Sequence, residues 1–140
     1  MMNKTKMKIL KPAHDVFEAF ADPEKIGSFW FSSSSERWQP GRTIILRYDE
    51  YDAEGKIDVL DMEPDRKIIF QDESQHLVTI TLIEEGPSVT IIEVTEEGFD
   101  ESASQFIAEL VDNKEGWVYA LTCLKAYLEY GVNLRAALVK

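Results

Sequence analysis

Few side chains in this sequence have the chemistry of a nucleophile or of a transition-metal ligand. The chain has two histidines, His14 and His76, and one cysteine, Cys123. None of the three stands in a motif that pairs a nucleophile with a base. Cys123 falls within a predicted apolar helix, where a packed thiol is more typical than a reactive one. The sequence predicts no catalytic residue and no cofactor; whether the protein is an enzyme stays open, with a non-enzyme favoured.

Metal binding is not predicted from the sequence either. A zinc centre needs converging histidine, cysteine or carboxylate ligands, and the two histidines and the cysteine lie far apart in the chain. The acidic segment 49–54 looks like a calcium loop, but the alternate positions that should bind the ion include Tyr51 and Ala53. We interpret it as a solvated hairpin. Glu96 and Glu97 are interpreted as part of a charged loop or of the first turn of the next helix, where carboxylates suit the helix dipole.

The aromatic side chains give a stronger indication of function than the titratable ones. Scattered through the sequence, they are expected to converge inside the fold, either as a packed core or as the wall of an apolar cavity. Polar candidates for orienting a ligand there are Arg47, Tyr48, Thr79, Thr81 and Glu93, although the strand register leaves open which of them face inward. The predicted ligand-binding set comprises Phe17, Phe20, Phe29, Trp30, Trp38, Tyr48, Phe70, Thr79, Thr81, Trp117 and Leu121.

Composition limits the class of partner. The 140 residues predict one domain, 1–140, and 44% hydrophobic content suffices for a core. Acidic residues number 26 against 15 basic ones, and the net charge is −11. Such a chain repels nucleic acid and anionic lipid, so neither a nucleic acid nor a membrane is an expected partner. Without a predicted leader or membrane span, a cytoplasmic location is expected.

The predicted helices and strands follow from the periodicity of apolar residues and from the positions of turn residues. A strand at 4–10 precedes a helix at 12–20 and a second short helix from Asp22 to Gly27. Strands are predicted at 43–48, 56–62, 67–71, 77–83 and 88–95. Helix resumes near 102 and runs to Tyr130, with Gly131 as its stop, and 132–140 is a tail. Asp112 and Asn113 either interrupt this helix or lie on its wet face.

One apolar stripe sets the predicted architecture. Trp117, Leu121, Leu124 and Leu128 recur at offsets of four, three and four, which places them on one face of a helix. We therefore predict an α+β helix-grip fold: a curved antiparallel sheet of about six or seven strands wrapped around a long C-terminal helix, with two short helices after the first strand. A ligand cavity is expected between sheet and helix.

Short motifs recur along nearly the whole chain in the order of a known family. They read PAHDVFEAF at 12–20, DPEKI at 22–26, FW at 29–30, PG at 40–41, EPDRKI at 63–68, GF at 98–99, GW at 116–117 and LKAYLE at 124–129. On these motifs the chain resembles the SRPBCC, or START-like, superfamily, and within it the branch named after the activator of the heat-shock chaperone ATPase. One departure is Arg42, where the family often has a second glycine.

The resemblance implies a fold and a choice of functions, but no shared catalytic residue. Similar domains, such as lipid-transfer START domains, birch-pollen-type allergens and polyketide cyclases, hold apolar molecules between sheet and helix. The first hypothesis is a small-molecule-binding module for an apolar or amphipathic ligand. The alternative is a protein-interaction module that activates a heat-shock chaperone ATPase, with the chaperone as partner, and a cyclase-like enzyme ranks third. The oligomeric state stays open.

Overall fold

A computed structural model describes residues 1–139 as a single sheet with two α-helices. The strands are β1 Met2–Ile9, β2 Ser33–Ser34, β3 Thr43–Tyr48, β4 Ala53–Glu63, β5 Lys67–Asp72, β6 Leu77–Gly86 and β7 Val89–Glu97. The helices are α1 Ala13–Ala21 and α2 Phe106–Tyr130. Seven antiparallel strands lie in the order β1-β7-β6-β5-β4-β3-β2. The predicted helix-grip fold is confirmed.

Alternation along the strands decides which face of the sheet is the core. Val78, Ile80 and Leu82 of β6 are buried, as are Ile92 and Val94 of β7. The residues between them point to the other face, because successive side chains of a strand alternate. An irregularity in the pairing of β4 with β5 lies between positions 59 and 61. A bulge of this kind bends the strand, in keeping with a sheet that curves around a helix.

Helix α2 is continuous over its 25 residues. Asp112 and Asn113 lie within it, so the open question about an interruption is answered in favour of one helix. Gly131 ends it with a φ of 66°, and its N–H reaches the carbonyls at the helix end. This left-handed cap is the role that glycine fills most readily. None of the helices in residues 1–139 is long and apolar enough to cross a membrane.

The chain between α1 and β2 differs from its prediction. In place of a second short α-helix it forms a turn and one 3-10 turn at Ile26–Ser28. Asp22 Oδ1 accepts the backbone N–H of Glu24 at 2.9 Å, which closes a turn, whereas the predicted cap of a helix is not formed because the 3-10 turn begins later, after Lys25. The segment is too short to continue an α-helical hydrogen-bond ladder, and Gly27 packs so closely that an added Cβ would lie 2.7 Å from the Ser32 carbonyl oxygen.

The stripe on α2 predicts a graded response to truncation. Leu121 and Leu124 are fully buried, whereas Ile107 on the same helix is 66% exposed. Leu121→Ala and Leu124→Ala should each lower the free energy of unfolding by about 2–5 kcal/mol, because they remove buried methyl groups and leave cavities. Ile107→Ala, the matched control, should change it by less than about 0.5 kcal/mol. Denaturant unfolding measures all three, and equal midpoints would show that the helix face is misassigned.

Candidate functional site

A cavity of about 630 Å³ lies between one end of the sheet and the N-terminal half of α2. Tyr48, Asp72 and Glu96, at the ends of β3, β5 and β7, face it from the sheet. The chain after α2 folds back to close it on a third side. The lining residues are Phe29, Trp30, Tyr48, Tyr51, Asp72, Glu96, Asp112, Asn113, Gly116, Trp117, Tyr119, Ala120, Arg135, Ala136 and Leu138.

Aromatic rings form much of the cavity wall. The rings of Trp30 and Trp117 lie 5.1 Å apart between their centroids, and Trp30 also contacts Phe31 at 4.6 Å. Tyr48 meets Tyr51 edge to face at 5.6 Å. Rings at these separations attract one another and present a large apolar surface. The cavity therefore has a largely aromatic wall on this side.

The predicted ligand-binding residues divide into two groups on the core side of the sheet. Phe29, Trp30, Tyr48 and Trp117 line the cavity. The others belong to the packed core beyond it: Phe17, Phe20, Trp38, Phe70 and Leu121 are all buried and are absent from the cavity wall. Both interpretations of the aromatic set, core and cavity wall, thus apply, each to a different part of it.

The structure places Thr79 and Thr81, whose orientation the sequence left open, on the face of the sheet away from the cavity. They lie on the outer face of β6, opposite Thr95 and Glu93 on β7, while their neighbour Ile80 points into the core. The two-residue period of a strand excludes both hydroxyls from the inner face. Glu93 lies on the same outer face, within 3.3 Å of the Lys4 ammonium group.

Glu96 is the functional candidate that sequence reasoning missed. Far from lying in a charged loop, it continues the inward series of β7 and is only 6% exposed. The Nδ1 of His76 lies 2.8 Å from its Oε2, and the indole Nε1 of Trp117 donates to its Oε1 at 2.9 Å. The two-residue alternation of inward-facing side chains along β7, from Ile92 and Val94, is the sequence pattern that predicts an inward Glu96. A carboxylate inside the cavity is thereby held by two other elements.

Asp72 and His76 belong to the turn that joins β5 to β6. Asp72 Oδ1 accepts the backbone N–H groups of Ser74 and His76, each at 2.9 Å. The His76 ring packs 4.4 Å from that of Phe99. Ligand-type atoms of Asp72, His76 and Glu96 all lie within 4.8 Å of one another. Glu96 lies 20 positions beyond His76 in the sequence, but the fold brings it to the turn, and the three residues could hold a metal ion.

The tail after α2 is fastened across the cavity by Arg135. Its Nε donates to the carbonyl oxygen of Trp30 at 2.9 Å, and its Nη2 donates to Glu50 Oε1 at 3.0 Å. A second contact joins Arg135 Nη1 to the other oxygen of Glu50. Tyr119 adds a further tie, since its hydroxyl accepts the N–H of Ala137 at 3.0 Å. A paired guanidinium and carboxylate thus hold the tail over the aromatic wall.

Burial and pairing set the pKa values around the site. Hydrogen bonds from Arg135 lower the pKa of Glu50 to about 2. Burial raises the pKa of Tyr48 to about 12, so its hydroxyl stays neutral near pH 7. Burial also raises the pKa of the fully buried Cys123 thiol, which keeps it protonated. Cys123 is a packed core residue, as expected.

The pairing of Glu50 with Arg135 predicts how Glu50 titrates. A carboxylate with a lowered pKa contributes stability above its ordinary value of 4.5, and that contribution is lost as the pH falls through about 2. NMR titration of the carboxyl carbons should show Glu50 protonating near pH 2, and Arg135→Gln should return its pKa toward 4.5. Arg47→Gln, which removes a guanidinium that pairs with Glu54 instead, is the control and should leave the Glu50 midpoint near pH 2. A Glu50 midpoint unchanged by Arg135→Gln would exclude the pairing.

Comparison with known proteins agrees with this architecture. The family model described as activator of Hsp90 ATPase homolog 1-like protein matches residues 11–129. The crystal structure of protein SSP2350 from Staphylococcus saprophyticus is 51% identical, with a TM-score of 0.88 and 98% of each chain covered. A comparison with curated proteins finds no match.

More distant structures share the fold alone. The Aha1 dimer from Colwellia psychrerythraea is 20% identical over 94% of this chain and 98% of that chain, with a TM-score of 0.79. CalU16 from Micromonospora echinospora is 21% identical over 91% of this chain and 73% of that chain, with a TM-score of 0.72. With the family model covering most of its length, this chain belongs to the Hsp90 ATPase activator homolog 1-like family of the SRPBCC superfamily.

Proposed function

We propose that this protein is a binding module for an apolar or amphipathic small molecule. The observation that carries the proposal is the cavity of about 630 Å³ between the sheet and α2. Sites for small molecules typically measure about 300–1,000 Å³ and combine apolar walls with a few placed polar groups. The apolar part of the ligand would contact the rings of Trp30 and Trp117. Water that leaves those rings on contact would make binding favourable.

Polar groups at the two ends of the cavity support an amphipathic ligand. Glu96 and Asp72 present carboxylates at the end nearest the β5–β6 turn. At the tail side, Tyr48 presents a neutral hydroxyl, and Arg135 presents a guanidinium that is already paired with Glu50. Buried polar groups need partners, and those along a cavity fix the orientation of whatever enters. A polar end and an apolar body therefore fit this lining.

The alternative function is activation of a chaperone ATPase, which the family description suggests. An activator acts through an outer surface, and the observation that favours it is a row of exposed apolar side chains on α2. Ile107, Val111 and Val118 are 66%, 61% and 42% exposed. An ATPase assay with the chaperone tests this alternative. It would be favoured over the binding module if the protein stimulates the ATPase, Val111→Ser abolishes the stimulation, and an added ligand does not change it.

Gly116 provides the sharpest test of the binding module. It lines the cavity, and an added Cβ there would meet no atom of residues 1–139 within 4 Å. Gly116→Phe should fill the space and weaken binding at least about tenfold, while the thermal midpoint stays level or rises because glycine is unfavourable in a helix. Dodecanol, dodecanoate and dodecylamine are suitable probes, and tryptophan emission and thermal midpoint report their binding together.

Two control variants separate filling of the cavity from other effects. Gly116→Ala adds only a methyl group and should leave binding nearly intact. Ala108→Phe adds the same aromatic ring to an exposed position of α2 and should change nothing. Binding that survives Gly116→Phe would place the probe outside the cavity, and no response to any probe would refute the binding module.

A further inference from the structure

Three side chains of metal-ligand type meet at the end of the sheet, at the boundary of the cavity. Asp72 ends β5, His76 precedes β6, and Glu96 lies near the end of β7. Their ligand-type atoms all lie within 4.8 Å of one another. We propose that Asp72, His76 and Glu96 form a binding site for one divalent transition-metal ion of the zinc and cobalt class. The site does not depend on the proposed function of the cavity.

The geometry of the histidine and the glutamate already approximates that of two metal ligands. His76 Nδ1 and Glu96 Oε2 are 2.8 Å apart. Ligand atoms about 2.1 Å from a zinc ion stand about 3.0 Å apart at a right angle and about 3.4 Å apart in a tetrahedron. A cation between them requires only a small outward movement of each side chain. On binding, the His76–Glu96 hydrogen bond is replaced by two metal–ligand bonds, and the imidazole binds as its neutral tautomer, with the proton moved from Nδ1 to Nε2 by exchange with solvent.

Asp72 supplies the third ligand without loss of its structural role. The hydrogen bonds that it accepts in the β5–β6 turn both go to Oδ1. The Oδ2 atom can therefore turn toward the cation while the turn stays closed. Two further backbone contacts, from Asp72 to His76 and from Gln75 to Asp72, keep the aspartate and the histidine together. Two carboxylates also offset the charge of a divalent cation.

Contacts from neighbouring residues orient the three ligand side chains and leave coordination positions open for water. The Trp117 indole holds Glu96 by Oε1, so Oε2 remains directed at His76. Partners of this kind fix metal ligands in many sites. A second cavity of about 420 Å³, which adjoins the first, is lined by all three residues and leaves room for water. One imidazole with two carboxylates suits zinc, cobalt, nickel or manganese, whereas calcium and magnesium favour sites made of oxygen ligands alone.

Cobalt titration of the chelator-treated, untagged chain tests this site. Calorimetry should show one Co²⁺ per chain, and the visible spectrum should show ligation by nitrogen and oxygen. His76→Ala should weaken Co²⁺ binding at least about tenfold, since even loss of an outer partner costs a metal site that much. His14→Ala is the matched control, because His14 also pairs with a carboxylate, that of Asp65 at 3.0 Å, but on the exposed surface. It should bind Co²⁺ unchanged.

A second variant separates loss of a ligand from loss of the fold. Asp72→Asn keeps an oxygen for the turn and removes the charge, so it should weaken Co²⁺ and Zn²⁺ binding while the circular dichroism spectrum and thermal midpoint persist. The proposal is overturned if the unchanged chain fails to bind either ion at millimolar concentration. It is equally overturned if His14→Ala weakens binding as much as His76→Ala, or if folded Asp72→Asn binds with full affinity.

Discussion

A carboxylate can be buried only where donors reach its oxygens, and Glu96 meets that constraint with donors from two other elements. His76 approaches it from the β5–β6 turn and Trp117 from α2. These contacts join the end of the sheet to the middle of the helix at a point where apolar packing gives way to polar groups. C-terminal to Trp117, α2 packs on the core. N-terminal to Trp117, α2 and the sheet leave the cavity between them.

The cavity follows from that change of packing. Leu121 and Leu124 pack α2 against the sheet. More than one turn earlier, Gly116 has no side chain to fill the space between helix and sheet. The rings of Trp30 and Trp117 border the resulting gap, and the tail closes one side through Arg135. The tail is held mainly by polar contacts, which open more readily than a packed core. Under the proposed binding function, the tail side is therefore the route by which we expect a ligand to enter.

Local pattern was enough to predict most of the fold, because strand alternation, turn residues and the stripe on α2 are properties of neighbouring residues. The site depends on longer relationships. The sequence leaves open whether Thr79 and Thr81 face inward, because the alternation of β6 fits either face until its pairing with β7 is known. A charged residue at the end of a strand has the same local pattern as one in a loop or in a first helical turn, so the sequence does not identify Glu96 as buried. Arg135 and Glu50 meet across 85 positions, a contact that no local pattern encodes.

The three tryptophans allow one direct measurement of the central claim, that the space between sheet and α2 holds a small molecule. Trp30 and Trp117 line the cavity, whereas Trp38 is buried in the core at 1% exposure. In a ¹⁵N NMR titration with an apolar probe, we predict that the indole signals of Trp30 and Trp117 shift together and saturate, while that of Trp38 stays in place. Unmoved signals from both Trp30 and Trp117, with shifts confined to Ile107 and Val111 on the outer face of α2, would contradict the account.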